Sequence, residues 1–132
     1  MIVVDAGCLF EALVGTAAGQ RVKQHLADDE EHAAPHVVDV ETLSVIRRFH
    51  LDGRLDETAA RQATQDLQAW PGERFGHQGL IPRAWDLRNN LRGWDAFYVA
   101  LAEALDATLL TLDERLARAD GPRCRMLVPR GR

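Results

Sequence analysis

Four acidic residues in this chain sit where side chains could act together. In the stretch Trp94 to Asp113, WDAFYVALAEALDATLLTLD, Asp95 heads an apolar helix, a short strand follows, and Asp113 lies just past the strand's end. Asp5 closes the apolar N-terminal run MIVV, and Glu41 lies in a helical segment beside an apolar stripe. Carboxylates gathered in one pocket repel and cannot all stay ionised unless a cation sits among them. An oxygen-only set suits a hard divalent ion, Mg²⁺ or Mn²⁺, held by a few carboxylates, retained waters and substrate phosphates.

Each acid also has a plainer use. Asp5 and Asp95 could cap helices, worth about 1 kcal/mol apiece. Thr111 and Glu114 fit a T-x-x-E capping box, leaving Asp113 as a first-turn acid favoured by the helix dipole. Glu41 is harder to dismiss. Its neighbours three and four positions away are Val37, Val38, Ser44 and Val45, so no local cation neutralises it.

Stepping at helical and strand periods places the supporting elements. Strands are expected over Met1–Val4, Ala33–Ala34, Arg74–His77, Ala107–Leu112 and Arg125–Val128. Helices are expected over Cys8–Val14, Gly19–Asp28, Val37–Leu51, Leu55–Trp70 with Asp56 as N-cap, Ile81–Arg92 ended by Gly93, Ala96–Leu105, and Asp113–Ala119. Strands separated by helices, with no hairpin signal, predict an α/β fold with a mostly parallel central sheet of four or five short strands flanked by helices. In such sheets ligands bind at the carboxyl ends of the strands, so one pocket there could receive Asp5, Glu41, Asp95 and Asp113.

The 132 residues fit one domain, 1–132. Apolar content of 46% with 27% charged residues excludes wholesale disorder. No apolar run approaches a membrane span and the N-terminus lacks a signal-peptide pattern, so a cytoplasmic location is expected. Cys8 and Cys124 read as reduced apolar fillers. The net charge of -4 argues against nucleic acid, but fifteen of the sixteen basic residues are Arg, with Arg123, Arg125, Arg130 and Arg132 in the last ten positions. His32 and His36 have metal-pair spacing, yet Pro35 interrupts any helix between them. Trp70, Trp85 and Trp94 read as core or interface anchors.

Taken together, MIVVDAGCLFEAL, APHVVDVETLSVIRR and RGWDAFYVALAEALDATLLTLDERLA resemble the successive motifs of the PIN-domain ribonucleases, and among them the VapC toxins of toxin-antitoxin modules. The resemblance implies a three-layer PIN-like fold and a metal-dependent endoribonuclease that hydrolyses RNA phosphodiester bonds with a metal-activated water. It implies Mg²⁺ or Mn²⁺ held by Asp5, Asp95 and Asp113, with Glu41 through a water or as a shared ligand, and Thr111 orienting Asp113 or a water. Arg115, Arg118 and the tail arginines would contact the RNA backbone. A cognate antitoxin and a homodimer are the implied partners. Gly7 departs from the Ser or Thr of many relatives, and Asp39 is an additional acid near the second motif. The alternatives are an RNA- or protein-binding module without catalysis and an acid-pocket phosphatase or phospho-acceptor domain. The latter usually pairs its aspartate with a lysine, and Lys23, on an early helix, is the only one.

Overall fold

The computed structural model describes residues 1–130. Five short strands, β1 (Ile2–Val4), β2 (His32–Pro35), β3 (Glu73–Phe75), β4 (Thr108–Leu110) and β5 (Met126–Leu127), form one sheet in the order β3-β2-β1-β4-β5. Every neighbouring pair is parallel, with Val4 beside Leu110 and Pro35 beside Phe75. Seven helices connect them: α1 (Ala6–Val14), α2 (Ala17–Ala27), α3 (Val37–Leu51), α4 (Glu57–Ala69), α5 (Ile81–Asp86), α6 (Gly93–Ala104) and α7 (Glu114–Ala117). The expected α/β architecture is therefore present.

Consecutive strand side chains point to opposite faces, and Ile2, Val3 and Val4 are all buried, so helices cover both faces of the sheet. Across one of them lies α6, in contact with β1, β2 and β4. Its residues Ala96 and Tyr98 to Ala102 are buried, as a helix charged only near its two ends, at Asp95 and Glu103, requires. Meanwhile α1 packs on α2, α3 and α4. Gly15 turns the chain between α1 and α2 in a left-handed conformation, φ 76°. Gly19 lets the two helices cross closely, since a Cβ there would lie 1.9 Å from the Glu11 carbonyl oxygen.

Several element ends differ from the sequence expectation. The Ile81–Arg92 helix stops at Asp86, where the Leu87 N–H is shared between the carbonyls of Arg83 and Ala84, and turns follow. Gly93 starts α6 instead of separating two helices, which puts Asp95 in the first turn and leaves Arg92 as an N-cap without a side-chain bond. The T-x-x-E capping box does not form: Asp113 caps α7, accepting from the Arg115 and Leu116 N–H groups. His32 and His36 are not a metal pair. His32 bonds the Leu26 carbonyl, and the His36 ring stands edge-on to His77.

Candidate active site

The parallel order brings the ends of β1 and β4 side by side, so the acid after each strand arrives at the same edge of the sheet. Asp5 leaves β1 and caps α1, its Oδ1 accepting from the Cys8 N–H at 2.8 Å. Thr111 leaves β4 fully buried and donates its hydroxyl to Asp5 Oδ2 at 2.5 Å. The same hydroxyl oxygen accepts from the Asp113 N–H at 3.0 Å. Thr111 therefore ties together the exits of two strands and the two acids that follow them. The sequence placed it beside Asp113; its bond to Asp5 spans 106 positions.

Glu41 projects from the second turn of α3 and its Oε1 accepts a hydrogen bond from the Tyr98 hydroxyl at 2.7 Å. Tyr98 is absent from the sequence-derived site. It is the only tyrosine, it lies one turn after Asp95, and a buried phenol needs a partner, which was the available signal. The Asp95 carboxylate accepts no hydrogen bond among the described residues.

Electrostatically the acids sense one another. Asp5 keeps some exposed surface, but its carboxyl is packed inside, and this burial raises its pKa against the lowering bonds from Thr111 and Cys8, with the charge of Asp113 adding to the rise. Burial also raises Glu41, opposed by the Tyr98 bond and reinforced by the charges of Asp95 and Asp5. Asp95 is raised by burial and by Asp113 and Asp5, with Arg92 pulling the other way. All four acids are thus linked through Asp5 and Asp95.

Asp95 and Asp113 open into a cleft of about 290 Å³ whose walls include Asn90, Arg92 and Arg115. Asn90 and Arg92 were not anticipated. Arg118, exposed at the end of α7, does not line this cleft. Arg123 and Arg125 border a cavity of about 440 Å³ at the amino end of β4, on the opposite edge of the sheet, together with Glu103 and Asp106. Arg130 pairs with Glu114, and Arg132 lies outside the described residues. Asp39 is occupied by the Arg74 guanidinium, 2.9 Å away, so it braces α3 and does not face the acids. A Cβ on Gly7 would lie 3.6 Å from Asp5 Oδ1, in ordinary contact with that carboxylate. Cys8 and Cys124 are free thiols, and burial raises the pKa of both, so neither is a poised nucleophile.

The donor set contains only oxygen, which fits a hard divalent cation. Among the described residues, no three His, Cys, Asp or Glu side chains are drawn together tightly enough to hold an ion as they stand.

The PIN domain model matches residues 2–122. The chain is 40% identical over 129 residues to "Ribonuclease VapC1" of Mycobacterium tuberculosis, covering 97% of each protein. It belongs to the VapC ribonucleases of the PIN-domain family. A second relative, "VapC ribonuclease Mb0985" of Mycobacterium bovis, is 39% identical over 131 residues, 98% of this chain and all of that protein. Among solved structures, a toxin-antitoxin complex from Klebsiella pneumoniae superposes with TM-score 0.70 at 17% identity, covering 98% of each chain. Mycobacterium tuberculosis VapC20, described as a sarcin-ricin loop cleaving toxin, gives 0.66 at 19% identity over 89% of this chain and 93% of its own. These two neighbours share the PIN fold; the VapC relationship rests on the closer sequence matches.

Proposed function

We propose that this VapC-family protein is a Mg²⁺- or Mn²⁺-dependent endoribonuclease and the toxin of a toxin-antitoxin pair. What supports the reading is the mutual electrostatic influence of Asp5, Glu41, Asp95 and Asp113, three of them with burial-raised pKa values. Asp5, Asp95 and Asp113 would hold the cation, with Glu41 through a water or as a shared ligand. When bound, the cation supplies the Lewis acidity that makes water a competent nucleophile near neutral pH and offsets charge developing on the phosphodiester.

The chain's own residues set up the rest. Thr111 aims the Asp5 carboxylate and the Asp113 backbone at once. Tyr98 occupies Glu41 Oε1, leaving Oε2 to take a proton, which the raised pKa favours. Arg92 and Arg115, on the cleft wall, would receive phosphate oxygens. An antitoxin peptide across this cleft would inhibit by occupying the same groups. Ile81, Trp85 and Trp94 expose more than half of their surface, which suits pairing with a second copy or the antitoxin. No described helix is long and apolar enough to cross a membrane. Lys23, exposed on α2, gives a phospho-acceptor site no partner for Asp5.

RNA cleavage with Mg²⁺ or Mn²⁺, with chelator, and with Asp95→Asn tests the reading. Cleavage confined to the metal-loaded wild type is expected. A purified protein that binds RNA yet leaves it intact with either metal would establish the non-catalytic binding module instead.

A further inference from the structure

The helix that carries Glu41 begins without a cap from its own sequence. His36, the residue before α3, has φ −53° and ψ −28°, and its side chain makes no capping bond. A helix start in this state leaves backbone N–H groups in want of acceptors. The first of them, on Val37, donates to Nε2 of His77 at 2.9 Å, forty positions away.

The same imidazole reaches the other helix of the site. Its ring packs against Phe97 at 5.2 Å between centroids, and Phe97 lies on α6 between Asp95 and Tyr98. His77 thus touches both helices joined by the Tyr98–Glu41 bond. It comes from the chain leaving β3, whose last carbonyl, on Phe75, accepts from the His36 N–H at 2.8 Å. Three positions before His77, Arg74 holds Asp39 on α3 and also donates to the carbonyls of Leu67, Trp70 and Gly72. The start of α3 is gripped twice from one segment.

From this we infer that His77 is a positioning residue for Glu41: it anchors the first turn of α3, spaces α3 from α6, and so keeps Glu41 within reach of the Tyr98 hydroxyl. The inference rests on the reading that Glu41 works in RNA cleavage, and it adds a residue outside the acidic set. Hydrogen bonds weaken over a few tenths of an ångström, so a small slide of α3 is enough to release Glu41.

The test compares His77→Gln with His77→Asn in the full chain. Gln carries an acceptor about as far from the backbone as Nε2, while Asn reaches only to the position of Nδ1. Steady-state RNA cleavage is measured together with the NMR signal of ζ-¹³C-labelled tyrosine, which reports Tyr98 alone because there is no other tyrosine. His77→Asn is expected to lower kcat about ten- to a hundredfold with KM little changed, as a small misplacement does, and to move the Tyr98 signal. His77→Gln is expected to keep both near wild type. Equal losses in the two variants, or an unmoved Tyr98 signal in His77→Asn, would overturn the inference. Should His77→Asn fail to fold, His77→Gln decides alone: retained cleavage and signal support the acceptor role, and their loss refutes it. If wild type itself does not cleave RNA, the ribonuclease reading falls, while the Tyr98 signal still shows whether His77 positions Glu41.

Discussion

Replacing Thr111 by Val keeps the shape of a fully buried side chain and deletes one hydroxyl that serves two acids. Asp5 then loses the strongest interaction opposing the rise of its pKa. A hydrogen bond to a charged group contributes about 1.5–3 kcal/mol, and the Asp113 N–H, near the surface, can turn to water, so a net loss of about 2–3 kcal/mol is expected near neutral pH. For a chain of this size that is roughly 6–12 °C in Tm.

The pH dependence of that loss makes the test sharp. Because burial raises the folded-state pKa of Asp5, its contribution to stability is fully present below the unfolded value, near pH 4, and is lost as pH rises through the folded value. The Thr111 bond limits the loss by favouring the ionised form. Without it the folded pKa climbs further, and the gap between wild type and variant widens with pH. Urea unfolding of metal-free protein in chelator, at about pH 4 and about pH 7.5, should show a smaller difference at the lower pH than at the higher. Equal differences at both, or a loss below about 0.5 kcal/mol at the higher pH, would refute the assignment of Thr111 as the main group favouring the ionised form of Asp5.

Mn²⁺ should raise Tm by more as pH increases from about 5 to 7.5, because the raised carboxyls of Asp5, Glu41 and Asp95 bind protons in competition with metal; a pH-independent shift in differential scanning fluorimetry would contradict this. Tyr98→Phe should lower cleavage while costing only about 1 kcal/mol in chemical denaturation, since half-buried Glu41 regains water in place of the phenol. Arg115→Ala should weaken RNA binding and flatten its salt dependence by about one unit of slope, and Arg118→Ala, away from the cleft, should change neither in fluorescence anisotropy titrations.

Local pattern alone was enough for much of this protein. The α3 bounds Val37–Leu51, the Asp56 cap of α4, the alternation of strands and helices, and the acids following β1 and β4 all depend on near neighbours, whose spacing the chain displays directly. The acids resembling those of the family were legible for the same reason. Tertiary structure decided how they are held. Setting β1 between β2 and β4 gives Thr111 to Asp5 and denies it to a capping box with Glu114. Packing of α3 against its neighbours sends Asp39 to Arg74, and the approach of α3 and α6 gives Glu41 to Tyr98, 57 positions away. Helical and strand periods record which face of an element is buried, but not which distant polar group meets it there; that choice is made by strand order and helix packing, which bring together residues with no spacing in common.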